Sequence, residues 1–380
     1  MNILIAADSF KGSCSARQVT DTIERAAKNV IPDVTITKIP VADGGEGTVD
    51  ALVAAMKGTK VSVPAHDPLG RPITAEYGLL PDGSAVIETA AASGLTLLKP
   101  EERDALHAST FGTGELIRHA LEHRVKKIIL GLGGSATTDG GAGLAGALGI
   151  SFLDKDGKEL EPGGVHLREL ASISTDGLLR EAAGCELLVA CDVKNHLCGA
   201  LGAAAVFGPQ KGADEEQVKI LDAALAHYAA VLKDKLHCAA ADTDGSGAAG
   251  LLCGILPYFP VTICSGIDLV LDLTDFDEHV KQADLVITGE GRIDFQSALG
   301  KVPVGVAERA KKVRNVPVVA IAGAKGDGCE TLYDFGIDAI FDTVPGVMSL
   351  EDVMSHAEEN LLNTAENVLR LFQIGNIFTF

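Results

Sequence analysis

Apolar and polar positions at the two ends of the chain follow the alternation of strand and helix that is typical of a parallel α/β fold. Residues 2–7 form an apolar run that is too short for a helix and suits a buried parallel strand. Ser15 and Gln18 make a capping box, which predicts a helix that ends before Pro32. Further strands are predicted at 34–40, 284–288, 316–322 and 339–343, and further helices at 48–56 and 350–372. This order predicts a parallel sheet with helices on both faces.

The middle of the chain has a different pattern. Residues 61–89 contain short alternating runs broken by the turn sequences DPLGR and PDGS, which predicts an antiparallel β-meander. Apolar strands at 127–130 and 186–190 and a long helix at 215–236 follow. We therefore predict two α/β domains, a discontinuous one from residues 1–60 plus 265–380 and an inserted mixed α/β domain from residues 61–264.

Composition and charge narrow the class of protein. With 47% hydrophobic and 22% charged residues, the 380-residue chain can bury a full core, which excludes a disordered protein. The net charge of −20 argues against nucleic acid and anionic membranes as partners, because phosphate contacts need clustered Lys and Arg. No apolar window is long enough to predict a membrane span. The eight cysteines form no C-x-x-C pair, so no zinc site is predicted and a reducing cytoplasm is expected.

The sequence GLGGSATTDGGAGLAGALG, residues 131–149, follows a predicted strand and is dense in glycine. Glycine lets the backbone approach a ligand, and successive N–H groups that lead into a helix can bind phosphate or carboxylate. Close packing of helix on strand, with no ligand, is the alternative. Gly131, Gly133 and Ala136 also fit a G-x-G-x-x-A dinucleotide pattern with Asp154 as its acid, although TTDGG delays the helix. The sequence contains no P-loop.

Polar residues follow three predicted strands of the discontinuous domain. They are Asp8, Ser9, Lys11 and Ser13 after the first strand, Asp43 and Glu46 after the second, and Glu290, Arg292, Asp294 and Lys301 after DLVIT. Open α/β sheets bind ligands at the carboxyl ends of their strands, so we expect these loops to converge. Carboxylates beside lysines suit Mg²⁺ with phosphate, or a general base for a substrate hydroxyl. Asp192, after another strand, is equally well explained as a ligand-facing acid or as a cap-like turn residue.

Several longer strings resemble one known family. They are ADSFKGS (7–13), ADGGEGT (42–48), DPLGR (67–71), GGSATTDGGAG (133–143), CDV (191–193), VFGPQKGA (206–213) and TGEGRIDFQSALGK (288–301). Together they are similar to the bacterial glycerate kinase type I family over nearly the whole chain. The resemblance implies a flavodoxin-like doubly wound parallel sheet with an inserted mixed α/β domain, and an active site in the cleft between the two domains. His196 stands where we expect the family to have proline, which affects only the local turn.

The resemblance also implies an activity. It implies ATP- and Mg²⁺-dependent phosphorylation of D-glycerate in the cytoplasm, at the 2-hydroxyl to give 2-phospho-D-glycerate and ADP, with 3-phosphoglycerate as the less expected product. A NAD-dependent hydroxy-acid dehydrogenase and a non-catalytic sugar-acid binding protein are the alternatives. We expect no nucleic-acid or membrane partner, and a monomer or a homodimer.

Phosphoryl transfer depends on positioning and charge neutralisation, which assigns an expected role to each type of residue. The predicted catalytic residues are Lys11, Asp43, Asp192 and Glu290, with Asp43 or Asp192 nearest the hydroxyl. The predicted Mg²⁺ ligands are Asp43, Asp192 and Asp294. The predicted substrate and phosphate contacts are Ser9, Arg71, Gly133, Gly134, Ser135, Thr137, Thr138, Arg292 and Lys301. The sequence does not distinguish the loop that binds ATP from the loop that binds glycerate.

Overall fold

Strands and helices alternate in the computed structural model, which describes residues 1–239, 241, 243–248, 251–299 and 301–377. The strands are β1 Asn2–Ala7, β2 Thr35–Pro40, β3 Thr59–His66, β4 Pro72–Leu79, β5 Ala85–Glu88, β6 Lys127–Gly131, β7 Ser151–Leu153, β8 Ser172–Ser174, β9 Glu186–Ala190, β10 Val261–Cys264, β11 Leu285–Gly289, β12 Arg292–Ile293, β13 Val318–Ala322, β14 Ala324–Lys325 and β15 Ala339–Asp342. The helices are α1 Ala16–Val30, α2 Thr48–Met56, α3 Ala90–Ser93, α4 Phe111–Glu122, α5 Ala142–Ala147, α6 Ala203–Phe207, α7 Glu215–Leu236, α8 Gly266–Leu273, α9 Phe276–Gln282, α10 Val302–Val313, α11 Leu350–Ser355 and α12 Ala357–Ile377.

The chain divides into two compact units. Unit one comprises Met1–Asp43, Asp50–Lys57 and Ile267–Phe380, and unit two comprises Gly44–Val49 and Gly58–Gly266. Both ends of the chain therefore contribute to unit one. None of the helices that the structure describes has the length and apolar character needed to span a membrane.

The sheet of unit one is parallel, with the order β15-β13-β11-β1-β2. Counted along this unit, the strand order is 2-1-3-4-5, the flavodoxin-like arrangement, so the predicted fold class is confirmed. Ile3, Ile5 and Ala7 of β1 share one apolar cluster with residues of α1 and α12. Helix α10 packs against β1, β11 and β13. Because strand side chains alternate between faces, α10 covers the other side of the sheet.

The point where the strand order reverses lies between β1 and β11. The connection that leaves β1 runs to β2 on one side, and the connection that leaves β11 runs to β13 on the other, so the two connections run in opposite directions along the sheet. Such a switch point leaves a crevice that open α/β sheets use for ligands. A ligand-binding site is therefore expected in the crevice of unit one.

Unit two contains a mixed six-stranded sheet with the order β10-β9-β6-β5-β4-β3. Strands β3, β4 and β5 pair antiparallel, which confirms the meander predicted at 61–89. Strand β5 then pairs parallel with β6, and the parallel half continues through β9 to β10. The carboxyl ends of β5, β6 and β9 carry the polar loops of this unit.

The single helix predicted at 350–372 is wrong, because the structure divides it into α11 and α12 at His356. Three donors share one carbonyl oxygen at this break. The hydroxyl of Ser355 donates to the carbonyl oxygen of Asp352 at 3.0 Å, Nδ1 of His356 lies 2.9 Å from the same oxygen, and the N–H of His356 donates to it at 3.2 Å. The regular helical hydrogen bond is therefore kept, and a serine side chain that bonds back to the preceding turn often bends a helix.

Candidate functional site

A cavity of about 280 Å³ lies in unit one beside the loops that follow β1 and β11. Six residues predicted as site residues line it: Ser9, Lys11, Asp43, Glu290, Arg292 and Lys301. The cavity therefore stands at the switch point of the sheet, where the loops after β1, β2 and β11 meet. Asp8 and Ser13 line the same cavity and were noticed in the sequence, although neither was placed among the candidate site residues.

The loops after β1 and β11 approach each other closely. A Cβ atom on Gly291 would lie 3.1 Å from the backbone nitrogen of Lys11 and 3.2 Å from the Cα of Phe10. The N–H of Asp8 also donates to the carbonyl oxygen of Gly289 at 2.9 Å. Glycine at position 291 thus permits the backbone contact that holds Lys11 and Glu290 on one cavity.

Asp8 is the most perturbed carboxyl group of the cavity. It is 6% exposed, and its Oδ1 accepts a hydrogen bond from the N–H of Ser9 at 2.6 Å. Burial, with a smaller contribution from the charge of Asp43, raises the pKa of Asp8 to about 7, although Ser9 and Lys11 oppose the shift. Asp8 can therefore exchange a proton near neutral pH, a property expected of a general base. Its only signal in the sequence was a charged residue directly after a buried strand.

Glu290 lies on the opposite strand end and is also buried, at 8% exposed. Burial raises the pKa of Glu290, whereas the hydroxyl of Ser297, which donates to Oε1, and the ammonium of Lys301 lower it. Nζ of Lys301 lies 3.8 Å from Oε2 of Glu290. Ser297 is fully buried in the short 3₁₀-helix after β12, and sequence reasoning missed it because a serine in a loop gives no signal of burial.

Arg292 and Asp294 form a neighbouring ion pair. Nε of Arg292 lies 3.2 Å from Oδ2 of Asp294, and Oδ1 of Asp294 accepts a hydrogen bond from the N–H of Gln296 at 2.9 Å. The side chain of Arg292 is 69% exposed. Asp294 thus orients an exposed cation beside the cavity and organises the turn after it.

The carboxylates of the cavity fit a Mg²⁺ ion only in part. Among the residues that the structure describes, no three His, Cys, Asp or Glu side chains form a group able to hold a metal by themselves. Mg²⁺ needs only one or two carboxylates, since water and phosphate oxygens complete its shell. The repulsion between Asp8 and Asp43 is of the kind that a cation would relieve. The predicted set of Asp43, Asp192 and Asp294 stays a prediction.

The glycine-rich loop of unit two, residues 133–138, is tied to its surroundings by its own backbone. The N–H of Gly133 donates to the carbonyl oxygen of Gly44 at 3.4 Å, and that of Ala136 to the carbonyl oxygen of Ser93 at 2.8 Å. Gly134 accepts a hydrogen bond from the N–H of Leu95. Part of the loop that was predicted to bind an anion therefore serves the fold.

The side chains of this loop are buried around a lysine that was not among the predicted site residues. Lys211 is 3% exposed, and its ammonium donates to Oγ of Ser135 at 3.0 Å and to the carbonyl oxygen of Thr137. Burial lowers the pKa of Lys211 to about 8. The hydroxyl oxygens of Thr137 and Thr138 are buried without a hydrogen-bond partner in the structure. Lys211, in the string VFGPQKGA that follows Asp192, was noticed in the sequence but was not placed among the candidate site residues.

Asp139 completes the buried polar group of unit two. Its carboxylate accepts hydrogen bonds from the N–H groups of Thr110, Gly141 and Gly143 at 2.8, 3.1 and 3.2 Å. Burial raises the pKa of Asp139, and these hydrogen bonds lower it. The acid of the glycine-rich loop is thus bound within the protein and organises the start of α5.

The dinucleotide pattern in this loop lacks the expected geometry. Helix α5 begins only at Ala142, so Gly131 and Gly133, the glycines of the pattern, do not lead directly into a helix. Asp154 sits in a tight turn, where its Oδ1 accepts hydrogen bonds from the N–H groups of Asp156 and Lys158. An acid that binds a ribose would end the next parallel strand, whereas β7 pairs antiparallel with β8 in a separate sheet.

Two other predicted residues of unit two have partners within the protein. Oδ1 of Asp192 accepts a hydrogen bond at 3.0 Å from the N–H of Gly266, the first residue of α8, which is the cap-like arrangement. The guanidinium of Arg71 pairs with the carboxylates of Asp67 and Glu102, the latter at 2.9 Å. A substrate carboxylate would have to compete with these groups for Arg71.

Comparison with known proteins gives one consistent result. A model of the glycerate kinase family matches residues 3–373. The chain is 48% identical to the glycerate kinase of Bacillus subtilis over 370 residues, 97% of each chain, and 44% identical to the glycerate 2-kinase of Escherichia coli over 377 residues, 99% of each chain. It also superposes on a crystal structure described as glycerate kinase 2 from Salmonella typhimurium LT2 with a TM-score of 0.89, at 46% identity over the whole of both chains.

Proposed function

The chain belongs to the glycerate kinase family, and we propose that it transfers the γ-phosphoryl group of ATP to the 2-hydroxyl of D-glycerate. Membership makes it a phosphotransferase that acts on an alcohol group. The observation that carries the proposal is the meeting of carboxylates and cations at the switch point of unit one. Phosphoryl transfer needs both, because it is catalysed mainly by positioning and charge neutralisation.

The cations of the cavity have one task in this proposal. Lys11, Arg292 and Lys301 offset the negative charge of the transferring phosphoryl group and of the glycerate carboxylate. The planar guanidinium of Arg292 suits a bidentate contact better than an ammonium does. Its exposure and its orientation by Asp294 support this role.

The carboxylates have the second task, to accept the proton of the glycerate hydroxyl. Asp8, with a pKa raised by burial to about 7, supports a base at this position, and Asp43 remains the neighbouring candidate predicted from the sequence. Glu290 is held by Ser297 and Lys301 for an orienting role. Asp192, whose Oδ1 binds the N–H of Gly266, stays in the proposal as the candidate of unit two.

The proposal includes Mg²⁺ as the ion that accompanies ATP. Asp43 would help to hold the ion, which would neutralise the charge of the triphosphate. Asp294 and Asp192 are the other proposed ligands.

The choice of the 2-hydroxyl rests on relatives. The Escherichia coli protein, 44% identical over 99% of this chain, is named a glycerate 2-kinase. We therefore propose 2-phospho-D-glycerate as the product and 3-phosphoglycerate as the less expected one. No disulfide joins any of the eight cysteines, all of which lie among the described residues, and we propose a reducing cytoplasm as the place of the reaction and a monomer or a homodimer as the active form.

Replacement of Lys11 tests the proposed site directly. We expect Lys11→Ala to lower kcat/KM for D-glycerate at saturating ATP by about a hundredfold, on the order of 3 kcal/mol of transition-state stabilisation. Lys312→Ala is the matched control, since Lys312 is also exposed in unit one but does not line the cavity. A fall of less than about threefold for Lys11→Ala would place the chemistry elsewhere.

A further inference from the structure

We propose that the unit-one cavity binds the nucleoside part of ATP against its apolar wall. We define the apolar wall as Phe10, Leu350, Val353, Met354 and Ala357, which line the cavity together with the polar residues described above. This inference deepens the proposed function and rests on it, because it assigns one of the two substrates to this unit.

The size of the cavity exceeds the need of glycerate. At about 280 Å³ it has room for about nine waters of roughly 30 Å³ each, and it approaches the lower end of the range of small-molecule pockets. A three-carbon hydroxy acid would leave much of this volume empty. A nucleotide is larger than glycerate. Its base and ribose would occupy a pocket of this size, and its phosphates would extend out of the pocket.

The chemistry of the wall leads to the same conclusion. Glycerate carries a carboxylate and two hydroxyl groups and has almost no apolar surface to bury against Leu350, Val353 and Met354. A purine presents two flat faces with little polarity, and aliphatic and thioether side chains pack well on such faces. Leucine, valine and methionine side chains in contact with a base would therefore be removed from water on binding.

The cations on the cavity complement the rest of a nucleotide. Lys11, Arg292 and Lys301 line it together with the apolar wall, so one ligand that is apolar at one end and anionic at the other would meet both. A nucleoside triphosphate has this division, whereas inorganic phosphate and glycerate do not.

The loop that carries Lys11 packs on α11, the helix that carries Leu350, Val353 and Met354 of the apolar wall. A Cβ atom on Gly12 would lie 2.7 Å from Cε of Met354, and Gly12 has a positive φ of +81° that favours glycine. The position of Lys11 is thus coupled by contact to that of Met354. A base seated on Met354 would directly adjoin the loop that neutralises phosphate.

The segment that leads into α11 exposes apolar side chains to water. Leu350 is 73% exposed, and in the segment just before it Val347 is fully exposed and Met348 is 41% exposed. Of these three residues Leu350 lines the cavity, where the apolar surface of a ligand would cover its side chain. We commit to the nucleoside as its occupant because the cations share the cavity.

A matched pair of leucine substitutions tests the inference. Leu350→Ala removes an exposed side chain from the apolar wall, and Leu371→Ala removes a 60% exposed one from α12 in the same unit, outside the cavity. Both leucines are exposed, so both variants should fold. Calorimetric titration with ADP·Mg and with tripolyphosphate measures binding without turnover, and steady-state kinetics give KM for ATP and for D-glycerate.

We expect Leu350→Ala to weaken ADP binding and to raise KM for ATP by about fivefold, or about 1 kcal/mol. Tripolyphosphate affinity and KM for D-glycerate should stay within about twofold, and Leu371→Ala should match the wild type in every measurement. Unchanged ADP affinity in Leu350→Ala, an equal loss of tripolyphosphate or glycerate affinity, or no ADP binding by the wild type would overturn the inference. A wild type that binds ADP through Leu350 but makes no phosphoglycerate would refute the proposed function alone.

Discussion

Replacement of Asp8 by asparagine should raise the stability of the protein while it lowers its activity. The carboxyl group of Asp8 is buried, and burial together with the charge of Asp43 raises its pKa from 3.8 to about 7. Ionised Asp8 therefore costs folding free energy at neutral pH. Asparagine has the same shape, has no charge, and can still accept the hydrogen bond from the N–H of Ser9 through its amide oxygen.

The size of the effect follows from the pKa shift. A rise from 3.8 to about 7 is about three units, and at about 1.4 kcal/mol per unit the ionised group costs about 4 kcal/mol above pH 7. The folded state binds the proton more tightly than the unfolded state, so the stabilisation by protonated Asp8 is present below pH 4 and is lost as the pH rises to about 7. We expect Asp8→Asn to be about 2–4 kcal/mol more stable than the wild type at pH 8, with little difference at pH 4.

Urea unfolding at several pH values between 4 and 8 measures this difference. Asp33→Asn, at an exposed aspartate of the same unit, is the control for the chemical change itself. The kcat of Asp8→Asn for D-glycerate should fall by at least about a hundredfold if Asp8 accepts the hydroxyl proton. A stability difference that is equal at both pH values, or a variant that is less stable at pH 8, would refute the account of Asp8.

Three other substitutions test the electrostatics and packing of unit two. Burial lowers the pKa of Lys211 to about 8, so the unfolded state binds more protons than the folded state between about pH 8 and 10.5. The stability of the wild type should therefore rise with pH over this interval. Lys211→Met should abolish this rise, which thermal melts at several pH values measure. Gly141→Ala should lower the free energy of unfolding by about 2–4 kcal/mol, because Gly141 has φ +80° and a Cβ would lie 2.1 Å from a backbone carbonyl oxygen. Gly146→Ala, in α5 with no neighbouring atom within 4 Å, should instead add about 0.5–1 kcal/mol.

The parallel sheet of unit one could be predicted because its strands are buried on both faces. Ile3, Leu4 and Ile5 are all 1% exposed or less, so the strand reads as an unbroken apolar run between polar segments. The break between α11 and α12 could not be predicted from the apolar spacing, because that spacing records the buried face of a helix. It carries no signal of the side-chain hydrogen bonds that Ser355 and His356 add to the carbonyl oxygen of Asp352 at the break.

The candidate site could be predicted in part for a related reason. Lys11 and Glu290 stand directly after apolar strands, and the topology of a parallel sheet brings such positions to one edge. Lys211 gave no such signal, since its partner Ser135 lies 76 residues away in the chain. The raised pKa of Asp8 likewise comes from burial and from neighbours in space, which only the folded structure defines.

Phosphorus NMR of the product made from D-glycerate and ATP tests the central claim most directly. A phosphate on the 2-hydroxyl couples to the single proton on its carbon, so we predict a new doublet together with the signals of ADP. A phosphate on the 3-hydroxyl couples to two methylene protons and gives a triplet. A triplet, or the absence of any new phosphate ester while ATP stays intact, would contradict the account.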